Sequence, residues 1–338
     1  MPARTLRDMT FSSPRTVVPP QNVAVLTDVA AAYRTCEFAT MTRAGVPIAW
    51  PAVCLPSSDG AGITLTTSVA LPRKAINIRR DPRVALLFSD PTGTGRADLP
   101  QVLVRGTASC PEEIRTSPAG LEEYWLRLWE RQPEAVDTSN ALMRRVMDFY
   151  FFRLVITVTP QDVVVRPPVA RRSAAPPPAP ARADASPWAE TVRRLSGYQD
   201  AVLGTASGSA LPDLRRVRVV ADERRRLLRL EPADGEPLPA TLGGLPGSLL
   251  FHGHDDRLSA LRQFGVLGTV AADDGDGLAL TPGRFVPGSA PESPLQLAGT
   301  LRRLRRTTKD YLAERGLARP AVDWDAFEQL KRAGARRP

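Results

Sequence analysis

The feature that most constrains this fold is a pattern that occurs twice. "RVALLFSD" (83–90) is echoed in "GSLLFHGHDD" (247–256), and "LPQVLVRGTAS" (99–109) in "LRQFGVLGTVA" (261–271). In the second pair a glutamine stands five residues before a Gly-Thr: Gln101 before Gly106-Thr107, and Gln263 before Gly268-Thr269. Earlier, "FATMTRAGVP" (38–47) corresponds to "LGTASGSALP" (203–212), each a strand, a small-residue turn and a proline. Matching points stay 162–165 residues apart. A constant offset over several segments implies a tandem duplication, and 338 residues are enough for two domains that each bury a core.

Between the halves, "PPVARRSAAPPPAPARADASP" (167–187) has no apolar period and is dense in Pro and Ala, the composition of an extended spacer. The expected organisation is a flexible segment over 1–20, a first domain over 21–166, a linker over 167–187 and a second domain with C-terminal helices over 188–338. The net charge of +9 permits binding to phosphates. Arginine supplies nearly all of it, the pattern of a GC-rich genome, so no nucleic-acid partner is expected. Cys36, Cys54 and Cys110 match neither a disulfide framework nor a zinc site and read as buried small hydrophobes. No apolar leader and no run of 18 apolar residues is present, so no membrane partner and a cytoplasmic location are expected.

In the first half, short β-like runs dominate. "EFATMT" (37–42), "PIAWPAVCLP" (47–56) and "GITLTTS" (62–68) are separated by the turn segments "RAG" and "SSDGAG". "PRKAINIRRD" changes to a helical period and stops at Asp81-Pro82, because a residue before proline avoids the α region. "RVALLFSD" and "QVLVRGTASC" are strands. "SPAGLEEYWLRLWERQ" places Leu121, Tyr124, Trp125, Leu128 and Trp129 at helical spacing. A helix around "SNALMRRVMDFYFF" leads into two strands, "RLVITVTP" and "QDVVVRP". The class is mainly β with short helices (α+β), as antiparallel barrels rather than alternating βαβ units.

At "TTSVALPRKAINIRRDPRVALLF" the chain resembles the pyridoxamine 5'-phosphate oxidase-like family of FMN-binding split barrels. "ATMTRAGVPIAWPAVCL", "QVLVRGTA" and "LEEYWLRLWE" follow that pattern in order, covering roughly 25–166, with a degenerate copy over roughly 195–300. The resemblance implies two tandem split β-barrels of the FMN-binding type. It also implies a flavin in an interface cleft, as a homodimer or as an intramolecular pseudo-dimer whose second barrel supplies the partner surface. By this resemblance Thr66, Thr67 and Ser68, then Arg73 and Lys74, hold the flavin phosphate, and Gln101 contacts the flavin. Lys74, one of only three lysines, becomes a phosphate ligand. Trp50 either walls the cofactor pocket or belongs to the core. Pro72 stands where the family has Ser, and the basic residue for a substrate phosphate has no counterpart, so pyridoxamine-phosphate oxidation itself is not expected.

The second half has "LEPADGEPLPATLGGLP" (230–246) in place of the phosphate segment, with no basic residue. One flavin cleft per chain is therefore the expectation. His252 and His254, the only histidines, share a strand face and read as solvated residues at a strand end, with a metal or haem iron as the alternative ligand. The acidic run at Asp273, Asp274 and Asp276 reads as a turn. "LRRLRRTTKDYLAERG" (301–316) reads as an amphipathic helix packed on the second barrel. "DPTGTGRADLP" (90–100) is placed at the border of the cleft. The resemblance implies an FMN-dependent oxidoreductase acting on a small-molecule substrate with an electron donor. Alternatives are a deazaflavin-dependent reductase, or a flavin- or haem-binding protein without turnover. No side chain is nominated as catalytic, and no metal ligand.

Overall fold

A computed structural model describes residues 20–57, 61–132, 140–169, 186–198, 200–258, 261–273, 277–288 and 294–336. The chain is mainly β with short helices, in two β domains. The first comprises α1 (Pro20–Ala32), β1 (Cys36–Met41), β2 (Pro47–Ala52), β3 (Leu55–Pro56), β4 (Ile63–Ser68), α2 (Arg73–Arg80), β5 (Arg83–Phe88), β6 (Gln101–Ser109), β7 (Ile114–Arg115), α3 (Glu122–Arg131), α4 (Ala141–Met147) and β8 (Arg153–Arg166). The second comprises α5 (Pro187–Leu195), β9 (Asp200–Thr205), β10 (Asp213–Asp222), β11 (Leu227–Pro232), β12 (Pro246–Gly253), β13 (Arg262–Ala272) and β14 (Leu278–Val286). Helices α6 (Pro294–Ala313) and α7 (Trp324–Gly334) follow. The spacer at 170–185, the segment before residue 20, and Asp274 and Asp276 of the acidic turn lie outside the described residues.

The two sheets thread in one order. It is β2-β1-β5-β6-β8-β4-β3 in the first domain and β10-β9-β12-β13-β14-β11, closing back on β10, in the second. Strand β10 borders both β9 and β11, whereas the matching stretch of the first domain is cut into β2, which borders β1, and β3, which borders β4. The cut falls at Val53-Cys54. Residues 47–56 carry Pro47, Pro51 and Pro56, each lacking a ladder donor, while 213–222 carries no proline. The first barrel is therefore split and the second closed. The single strand expected over 47–56 is two, and the two strands expected after Phe152 are one, β8, which passes Pro160 at a bulge.

That bulge is repeated. The register shifts between Arg105 and Gly106 where Gly106 faces Pro160, and between Leu267 and Gly268 where Gly268 faces Pro282. A Cβ at either glycine would lie 2.1 Å from a carbonyl oxygen, that of Thr159 or of Thr281, so each rung admits only glycine.

The apolar runs follow from burial on both faces. Along β5, Val84, Leu86 and Phe88 enter the first barrel's core, while Ala85 and Leu87 face a second core shared with Val202, Leu214 and Leu250 of the other domain. A strand covered on both sides reads as continuous rather than alternating. Ala39, Ala49 and Ala85 keep the joint between the two sheets thin.

A buried ionic cluster lies in the same joint. Glu37 Oε1 accepts from Arg216 Nη2 at 2.8 Å and lies 2.9 Å from His252 Nε2. Ser89 Oγ donates to Glu37 Oε2 and accepts from Arg216 Nε. Asp90 Oδ2 lies 3.5 Å from His254 Nε2. Burial alone would raise the Asp90 carboxyl, but Arg216, then His252 and His254, outweigh it and hold it well below the usual range. The histidines are thus not solvated, contrary to expectation: they tie the second domain to Glu37 and Asp90 of the first. The 90–100 loop lies on the same side, with Arg34 Nε donating to Gly93 O and Gly93 against Asp256.

The C-terminal helices return to the first barrel, not the second. Tyr311, Leu301 and Leu304 of α6 join the first core, and Arg79 Nη1 donates to Tyr311 Oη. Phe327 of α7 packs edge-on to Trp125 and Phe151. Among the described residues no helix is long and apolar enough to cross a membrane. The three cysteines are buried and free, and the Cys54 sulfur together with burial pushes the Cys36 thiol up.

Candidate functional site

The split in the first barrel is where the chain gathers positive charge. Helix α2 begins at Arg73 because Pro72 has helical φ and adds no side-chain cap, and it ends at Asp81 ahead of Pro82. Its first-turn amides therefore lack a side-chain acceptor. The loop before it is held by backbone-directed hydroxyls: Thr67 Oγ1 donates to Leu71 O at 2.9 Å, and Ser68 Oγ donates to Phe149 O and accepts from Ala70 N. These two residues build the loop. Thr66, half-buried and on the face of β4 opposite to Thr67, donates to Tyr124 Oη at 3.2 Å.

Lys74 reaches from α2 across the split, its Nζ 5.3 Å from the centre of the Trp50 ring. Burial, then the nearby Arg153 guanidinium, lowers its pKa from 10.5 to about 8. Arg153 opens β8 directly opposite Ser68 and is buried, its guanidinium 4.0 Å from the Tyr150 ring and 5.0 Å from that of Trp125. Its Nε and Nη2 have no hydrogen-bond partner among the described residues. No described carboxylate pairs with Lys74 or Arg153. Two adjacent cations with no counter-charge and two orphaned buried donors fit a phosphate group.

The remaining nominated residues are dispersed. Arg73 is exposed and lines a different cleft with Pro72, Ile76 and Arg80. Gln101 is fully buried, its Nε2 donating to Pro167 O at 3.0 Å and Asp234 Oδ2 at 3.1 Å. It lies opposite Arg166 while Ser68 lies opposite Arg153, thirteen residues apart along β8, or about 40 Å of strand. Gln101 therefore pairs at the opposite end of β8 from the start of the Lys74 helix. Its counterpart Gln263 lines a narrow crevice beside Trp50, together with Ser248, Leu250 and Gly265. That crevice encloses about 30 Å³, the space of a water or two, so a tricyclic ring enters only if β2 and β13 part.

Sequence reasoning missed Arg153 and Gln263. The signal for Arg153 was its place directly after "FYFF", a lone cation ending an aromatic run. For Gln263 it was the repeat itself, which put an equivalent glutamine on the partner barrel.

No family model matches the chain, and no curated protein matches it. Among solved structures it is similar to a conserved hypothetical protein of Mycobacterium tuberculosis (24% identity, 46% of this chain, 88% of that one, TM-score 0.32). It is also similar to an F420 reductase (22%, 44% and 98%, TM-score 0.31) and to the haem storage protein HutZ of Vibrio cholerae (17%, 41% and 91%, TM-score 0.29). At these values the likenesses bear on no residue and no activity of this chain.

Proposed function

We propose that the first barrel binds a flavin-type cofactor by its phosphate and serves as an oxidoreductase for a small molecule, using a separate electron donor. The observation that carries this reading is the uncompensated pair Lys74 and Arg153 beside Trp50. Lys74 Nζ, Arg153 Nε and Nη2 and the Thr66 hydroxyl hold the phosphate, Thr67 and Ser68 shape the loop, and Gln263 with Trp50 flanks the adjoining crevice. The bound group supplies hydride or electron transfer; the chain contributes binding, orientation and exclusion of water. FMN is the first choice. A deazaflavin has the same combination of phosphate and three-ring system. Haem fits less well, because both imidazoles are buried against Glu37 and Asp90.

The shared strand order and the paired Gly-Pro bulges support a duplicated origin, with the second barrel standing where a partner chain stands in a homodimer. Between β11 and β12 that barrel has only a short 3-10 turn, Ala240–Leu242, so one phosphate site per chain follows. Free thiols accord with a cytoplasmic setting.

A second reading, a phosphate-binding protein without turnover, draws on the closed crevice at Trp50. Titrating FMN and a deazaflavin into the apoprotein, with Lys74→Ala and Arg153→Gln variants, tests the proposal. Binding with a flavin spectrum, lost in both variants, upholds it. Binding of neither, or binding indifferent to both substitutions, overturns it. Cofactor that binds yet is reduced by no nicotinamide or other donor selects the second reading.

A further inference from the structure

The cleft that receives Arg73 has a chemistry of its own. About 580 Å³ in volume, it opens between the β1–β2 hairpin, α2, and strands β13 and β14 of the second domain. Arg43, Arg73, Arg80 and Arg284 line it, and no carboxylate does. None of the four is ion-paired among the described residues. All four are exposed, and Arg80 donates to Met41 O and Asn77 Oδ1.

The molecule contains its own control. A cleft of about 610 Å³ occupies the corresponding place on the second domain, between the β9–β10 hairpin, the 236–245 segment, and β6 and β8 of the first domain. It too is lined by arginines, but Arg105 pairs with Asp162, Arg166 and Arg215 both pair with Asp213, and Glu236 adds a carboxylate to the wall. The contrast holds at a single rung of the sheet. Where β6 and β8 set Arg105 opposite Asp162, β13 and β14 set Leu267 opposite Arg284. One cleft neutralises itself internally. The other leaves four guanidiniums around a cavity with nothing to balance them.

We infer that the arginine cleft is a binding site for a small molecule carrying two or more phosphate groups. Its volume lies in the range of small-ligand sites, about 300–1,000 Å³. Two phosphate monoesters carry about −3 to −4 at neutral pH, matching four guanidiniums, and the planar forks suit phosphate oxygens bidentately. Both domains contribute, so the ligand spans the joint. Lys74, Arg153 and Thr66 line no part of it, so the inference does not rest on a flavin in the split.

The test is calorimetric titration of the full chain with tripolyphosphate at constant ionic strength. Parallel titrations use the Arg43→Gln/Arg284→Gln double variant, Lys74→Ala, and Arg215→Gln from the other cleft. Binding that persists in Lys74→Ala, is weakened about tenfold per arginine in the double variant and is unchanged in Arg215→Gln, is expected. The substituted arginines of the double variant are exposed, so its thermal midpoint should stay at the wild-type value. Absence of wild-type binding at millimolar tripolyphosphate, or equal affinity in the double variant, overturns the inference. So does loss of binding in Lys74→Ala, which would put the anion in the split. Displacement of tripolyphosphate by a single-stranded RNA homopolymer at lower concentration would also overturn it, in favour of a nucleic-acid surface.

Discussion

Between β4 and β5 the first barrel has α2, with Lys74 and a run of arginines; between β11 and β12 the second has a proline- and glycine-rich turn with no basic residue. The strand order around both is the same, as is the glycine bulge, so the difference is local. It teaches that a β framework of this kind keeps its fold while the segment over its opening is replaced. Backbone pairing and cores carry most of the stability, while the inserted helix ties Arg79 to Tyr311 and turns Arg73 and Lys74 to different surroundings. Lys74 and Arg153 repel one another, and each is set against aromatic rings, Trp50 for Lys74 and Tyr150 and Trp125 for Arg153.

The hardest test of the two-barrel comparison is to cut the joint. Arg216→Ala leaves Glu37 buried without its guanidinium and should cost about 3–5 kcal/mol in chemical denaturation. A separate unfolding step for each barrel would accompany it if the joint couples them; one unchanged transition would mean that it does not. Next, Gly106→Ala and Gly268→Ala should each cost about 1–3 kcal/mol, because each Cβ meets a carbonyl at the same distance. A loss at only one glycine would break the equivalence of the barrels.

Lys74→Met should raise stability by about 0.5–2 kcal/mol, with no gain from a comparable change in the second barrel. Its pH signature is specific. Because the folded pKa is about 8 and the ordinary value 10.5, the unfolded chain holds more protons between them, and wild-type stability rises with pH across that window. The variant should lose that rise. The smallest effect is Asp162→Asn, which releases Arg105 of the first domain, where it lines the self-neutralised cleft, at a stability cost of about 0–1 kcal/mol. It should give that cleft a weak affinity for tripolyphosphate, measurable against the Arg43→Gln/Arg284→Gln background.

Much of the framework was legible. The strands announced themselves as apolar runs because both faces are covered, and α2 was bounded by prolines at 72 and 82. What escaped depends on residues far apart in sequence. His252 reads as a solvated strand end until Glu37, more than two hundred positions earlier, is brought to 2.9 Å. The docking of α6 was misread because an amphipathic helix declares an apolar side without declaring its partner, here the first core through Tyr311. The split at Val53-Cys54 was hidden in a stretch with strand-like composition. Among the site residues, proximity in sequence misled most with Arg73 and Lys74. Adjacent on one helix, they point different ways, Lys74 to the Trp50 ring and Arg73 into the cleft with Arg43 and Arg284, because successive helical side chains diverge by about 100°.

Both barrels and the joint between them belong to one polypeptide. In a symmetric pair of identical chains every inherited substitution strikes both clefts at once, so an opening improved for one ligand is imposed on the other. Here an amino-acid change alters one side alone. Asp162 and Arg284 stand at corresponding rungs with opposite sign, a difference that two copies of one identical chain could not hold.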